Sequence, residues 1–123
     1  IIFIMHALRL AKVINTSNDQ LIGDKIKIAD SFLSRFKGLL GQTGLSKSEG
    51  LLIKNCKQVH MFFMLFSVDL IFLSKDSIVL YIESDKKPWT VSKIVPRATA
   101  VLELPQGTVS TARIYVGDRL SLV

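Results

Sequence analysis

Apolar and polar residues alternate through Lys25–Ala29 (KIKIA), the period-two signature of a strand with one buried face. A first strand is expected just before it, at Leu10–Thr16 (LAKVINT), closed by the turn-forming SND at 17–19. The period then changes. In DSFLSRFKGLLG, Phe32, Leu33, Phe36, Leu39 and Leu40 recur three and four apart, which predicts a helix near residues 30–40. Asp30 and Ser31 are suitable N-caps and Gly41 a suitable stop, while Gly38 inside the pattern costs about 1 kcal/mol against alanine. Residues 42–50 read as loop.

Beyond the loop the pattern is β-rich. Strands are expected at Leu51–Ile53, Val68–Leu73, Ser77–Ile82, Val91–Val95, Thr99–Leu104, Thr111–Val116 and Arg119–Val123. They are punctuated by SKDS, ESDKKP, LPQG and VGD. One helix among many short strands gives a mainly β class, α+β by a looser definition, arranged as a compact β-sandwich or barrel-like single domain.

The stretch CKQVHMFFMLFSVDLIFL, residues 56–73, changes this picture most. It holds the only cysteine, Cys56, together with His60, Met61, Met64 and Asp69 among apolar neighbours. It is shorter than the roughly 20 apolar residues that span a bilayer and is interrupted by polar ones, so no transmembrane segment is read here. The chain has 123 residues and 49% hydrophobic residues, enough for one domain without disulfides. A lone cysteine fits a reducing compartment, and the expected location is cytoplasmic. Residues 1–8 read as an N-terminal extension or the remnant of a leader, in which case an exported form exists, with residues 9–123 as the domain.

The net charge of +6 favours anionic partners weakly, because the basic residues are scattered along the sequence without a run. Phe62, Phe63 and Phe66 lie near Lys54 and Lys57, an arrangement that would suit single-stranded nucleic acid, but these rings are expected in the core. No specific nucleic-acid binding is expected.

Cys56, His60 and Met64 are spaced by four. On a helix they would lie about 6 Å apart and share a soft metal ion such as copper(I) or zinc, with Met61 as a further ligand. On a strand they would lie about 13 Å apart and could not share one. The alternative chemistry is a thiol-dependent enzyme, with Cys56 as nucleophile and His60 as base. Packing of Cys56 and Met64 in the core is the commoner fate of such residues. Asp69, in an apolar strand, needs a partner such as Arg35 or a set of backbone amides, and Glu103 in VLELP raises the same question. The phosphate-loop, dinucleotide, paired-cysteine, zinc-protease and serine-hydrolase motifs are absent.

The order of short motifs is itself informative. It runs R-x-x-GLLG (35–41), EGLLI (49–53), C-x-x-VH-x-x-x-M-x-x-x-x-D-x-x-FL (56–73), KPW-x-VS (87–92), VLELP-x-G-T (101–108) and GD-x-L (117–120). This resembles the DUF192 family of small prokaryotic proteins, from about residue 24 to the C-terminus. Many members carry WM-x-x-T where this chain has His60, Met61 and Met64, so it is similar to a His/Met subgroup. Ser67 stands where proline is usual and Gln106 where alanine is common. The resemblance implies a compact β-rich fold with a packed helix, and no known enzymatic activity.

The expected function is therefore a non-enzymatic ligand-binding or interaction module. Its polar pocket is expected to be built from Arg35, His60, Asp69, Trp89 and Glu103, with Trp89 as an aromatic wall. Its partner would be a small ligand or a protein, it would need no cofactor, and it would act as a monomer. The thiol enzyme using Cys56 and His60 and the metal site using Cys56, His60 and Met64 are the alternatives.

Overall fold

The computed structural model describes residues 10–30 and 43–123. Its strands are β1 (Leu10–Asn15), β2 (Gln20–Ala29), β3 (Glu49–Lys54), β4 (Val68–Leu73), β5 (Val79–Lys86), β6 (Ala100–Pro105) and β7 (Leu120–Leu122), with one short helix, α1 (Thr108–Ala112), among the described residues. The helix expected at 30–40 and the N-terminal extension lie outside those residues.

The strands form one mixed sheet in the order β5-β4-β6-β3-β2-β1-β7. Only β2 and β3 run parallel, with Ile26 opposite Gly50 and Ile28 opposite Leu52. The sheet is not closed into a barrel, but it curls. Its two outer strands meet at one end through a single bridge between Ile78 and Arg119, where the Leu120 amide donates to the Ser77 carbonyl and the Val79 amide to that of Asp118. The expected mainly β class is what the chain adopts.

Alternate residues of the central strands supply two separate cores, one on each face. Leu51, Ile53, Val68, Leu70, Phe72 and Val101 share the first. Leu52, Ile71, Leu73, Leu102, Leu104, Ile26 and Val13 share the second. Every residue of β4 is buried, as a strand covered on both sides must be. A methyl group added at Gly50 would come within 2.8 Å of the Glu103 carbonyl oxygen and of Ile26 Cδ1. The glycine of EGLLI thus lets β3 pass closely between its neighbours.

The two faces are covered differently. Val109, Ala112 and Ile114 lie against the second. Residues 111–116 were expected as a strand, but Gly107 (φ 94°) turns the chain out of β6 and Arg113 (φ 56°) ends the helix in the left-handed conformation. Ala112, Ile114 and Val116 alternate as in a strand, but Val109 and Ala112, three apart, share the buried face of the short helix.

The first face is covered by two irregular segments. Lys54 lies opposite Ala100, and Val68 opposite both Pro105 and Lys86. Residues 55–67 therefore cross the sheet from one end to the other, and residues 87–99 cross back beside them. The expected strand at 91–95 belongs to this layer and, among the described residues, makes only one bridge, Val91 to His60. The layer is stitched by backbone bonds: Met61 donates to Thr90, Trp89 to Met61, Ser92 to Val59 and Val95 to Lys57. Lys57 Nζ adds bonds to the Pro96 and Ala98 carbonyls. Cys56, Val59, Met61, Met64 and Ala98 point down into the first core.

Met61 is fully buried at the crossing point. Met61→Ala should lower stability by about 3 kcal/mol, through lost contact and a residual cavity, as measured by denaturant unfolding. A loss under about 1 kcal/mol would mean that the layer does not pack on the sheet.

Candidate functional site

Burial in the covering layer alternates irregularly, and this decides what reaches solvent. Val59, Met61 and Met64 point inward, while Phe62, Phe63 and Leu65 point outward. From the returning segment, Trp89, Val91 and Ile94 also face solvent. Phe62 and Phe63, expected in the core, are thus exposed, and Phe66 alone of the three packs partly against it. The apolar positions of this segment follow a folded loop, so neither strand nor helix periodicity sorts them.

The outward rings assemble into a ledge. His60 stacks on Phe62 at 4.7 Å between centroids, Phe62 lies 6.0 Å from Trp89, and Phe63 tilts against Trp89 at 4.9 Å. Phe63 and Trp89 are 59% and 60% exposed. Both have positive φ, 65° and 63°, where a bulky side chain is unfavourable by about 1 kcal/mol or more. The Met61 carbonyl holds both corners, accepting from the Trp89 amide at 2.8 Å and the Met64 amide at 3.3 Å.

The carboxylates predicted for one pocket separate. Asp69 lies opposite Leu104 in the register, and Glu103 lies opposite Leu70. Adjacent strand positions face opposite sides, so Asp69 belongs to the second face and Glu103 to the first. A single pocket containing both does not form. Asp69 is buried and accepts three backbone amides: Asp85 on Oδ1 at 2.8 Å, and Gly107 and Val109 on Oδ2 at 3.1 and 2.9 Å. It joins β4 to β5 and fixes the start of α1. Glu103 is fully buried on the side of the covering layer, with Leu51 and Leu70 beside it in the neighbouring strands. Arg35 lies outside the described residues, and so does its expected pairing with Asp69. Of the predicted pocket, the structure brings His60 and Trp89 together, with Phe62 between them.

Cys56 is buried, and its thiol donates to the Gln58 carbonyl at 3.2 Å. Cys56, Met61 and Met64 share the first core, on a loop to which neither the helical nor the strand spacing applies. Among the described residues no three His, Cys, Asp or Glu side chains gather as metal ligands. A shallow cleft of about 550 Å³ opens elsewhere, between the start of β2 and α1, lined by Gln20, Lys47, Ser48, Gln106, Thr108 and Thr111. It includes none of the predicted site residues.

Phe62, Phe63 and Leu65 complete the ledge and were not singled out as site residues by the sequence. The available signal was the pair FF between two methionines, which is ambiguous until the loop is folded. For the buried carboxylate, Asp69→Asn should cost about 3 kcal/mol in urea unfolding, because an amide cannot accept all three backbone donors. An unchanged midpoint would show that those bonds do not hold α1 in place.

The sequence profile of DUF192, described as an uncharacterised ACR, matches residues 13–122. A UPF0127 protein of Thermococcus kodakarensis is 29% identical over 113 residues, covering 89% of this chain and 71% of that one. A Novosphingobium aromaticivorans protein of unknown function has a similar structure, with TM-score 0.75, 23% identity, and coverage of 90% of this chain and 82% of its own. A Sinorhizobium meliloti protein, described with reservation as a transcription regulator, superposes with TM-score 0.73 at 23% identity over 91% of each chain. At these identities the two structures speak for the fold alone.

Proposed function

Because the chain belongs to the DUF192 family, described only as uncharacterised, we propose from its own surface that it is a non-enzymatic binding module. Its contact site is the ledge of His60, Phe62, Phe63 and Trp89. The observation that carries this reading is the exposure of Phe63 and Trp89 on left-handed backbone. Glycine would adopt those conformations without strain, so the rings are held outward at a cost to the fold. Contiguous exposed apolar surface of this kind marks a contact site more often than scattered single residues do.

The environment of Cys56 supports a binding role over thiol chemistry. The thiol is buried and donates to the Gln58 carbonyl, as a packed core cysteine does. Cys56, Met61 and Met64 fill the core beneath the ledge, a role suited to soft, adaptable side chains.

Small apolar probes test the reading directly. Phenol and isopropanol titrated into the labelled protein should shift the amide resonances of Phe62, Phe63, Leu65 and Trp89 first. In Phe63→Gly those shifts should shrink, with stability within about 1 kcal/mol of the parent, since relief of the positive φ offsets the lost ring contact. Strongest shifts around Thr108 and Thr111, or shifts indifferent to Phe63→Gly, would place the site in the cleft instead.

A further inference from the structure

The two segments that build the ledge also hold most of the protein's excess charge. Residues 55–67 and 87–99 contain Lys57, Lys87, Lys93 and Arg97, and not one Asp or Glu. These are four of the sixteen basic residues, leaving twelve basic against ten acidic in the rest of the chain. Four of the six net positive charges therefore lie in these two segments. All four residues are exposed. On β5, Glu83 pairs with Lys86 and Asp85 with Lys87. Glu83 also accepts the Lys93 amide at 3.0 Å and so adjoins the basic segments directly, while the Lys87–Asp85 pair is open to solvent and so weak.

We infer that this face docks on an anionic phospholipid surface. The inference rests on the ledge being the contact site. Phe63, Leu65 and Trp89, each about 60% exposed, would enter the headgroup layer while the surrounding basic side chains meet lipid phosphates. Exposed aromatic and leucine side chains beside Lys and Arg are the combination that binds membrane interfaces, where apolar burial and charge attraction add. The contact so inferred is peripheral; no described helix is long and apolar enough to cross a membrane.

The ring geometry favours lipid over single-stranded nucleic acid. Base stacking needs free ring faces. Here Phe62 stacks towards Trp89, Phe63 tilts against it, and His60 stacks on Phe62, so the rings engage one another. Leu65, Val91 and Ile94 extend the exposed surface with aliphatic groups, which offer a base nothing to stack on.

Trp89 is the only tryptophan and reports the contact by its emission. The experiment mixes the full chain with vesicles of phosphatidylcholine alone or with phosphatidylglycerol added, and separately with oligothymidylate. The expected result is co-sedimentation with the anionic vesicles, a blue shift of Trp89 emission, and release by salt. The double variant Phe63→Gly/Leu65→Ser and the triple variant Lys87→Gln/Lys93→Gln/Arg97→Gln should each weaken binding at least about tenfold, with folding checked by circular dichroism. Three outcomes overturn the inference: no preference for anionic vesicles, binding without a Trp89 shift that the double variant retains, or tighter binding to oligothymidylate. If the vesicles fail while phenol and isopropanol still map to the ledge, the lipid partner is wrong and the binding site stands. If those probes also miss the ledge, the site itself is wrong.

Discussion

Met61 holds the covering layer to the sheet, and the rest of the surface depends on that junction. Its side chain is fully buried in the first core. Its amide donates to Thr90 at 2.7 Å, and its carbonyl accepts from Trp89 and Met64. One residue thus ties together two segments that have no ladder of their own. A fully buried β4 requires cover on both faces, and here loop residues provide it on one of them. Once Val59, Met61 and Met64 are committed inward, Phe62, Phe63 and Leu65 are left facing water.

This arrangement joins the stability of the core to the shape of the exposed surface. The inward side chains belong to a core that also contains Leu51, Leu70, Phe72 and Val101. The outward ones sit a residue or two away on the same backbone, so the core positions the ledge without contributing to its chemistry. The left-handed corners at Phe63 and Trp89 follow from the same constraint, since each lies where the chain must turn to keep its bonds to Met61. Asp69 does comparable work on the other face, where a carboxylate joins β4, β5 and the first turn of α1 through backbone amides.

The strands of the central sheet were legible from sequence because apolar residues crowd them. Val68–Leu73 was read with the bounds it has, and Lys25–Ala29 as the C-terminal half of β2. The family was legible from the order of short motifs. Thr111–Val116 misled because Ala112, Ile114 and Val116 alternate as a strand would, whereas Gly107 turns the chain into a short helix that Arg113 ends. Val91–Val95 misled because its hydrogen bonds go to a loop. Of the residues expected at a site, His60 and Trp89 lie on one ledge. Asp69 and Glu103 were grouped although the sheet's parity sets them on opposite faces, and parity across strands needs the register. The basic residues look scattered along the sequence; the pairing of residues 55–67 with 87–99 brings Lys57, Lys87, Lys93 and Arg97 into one layer.

The central claim is that the ledge is a preformed surface, fixed by the bonds around Met61. Amide hydrogen exchange tests it most directly, because it reports those bonds one by one. The account predicts that the amides of Met61, Trp89, Ser92 and Val95 exchange as slowly as those of β6. Exchange at the rate of an open loop, with the sheet still protected, would show that the covering layer opens freely and would contradict the account.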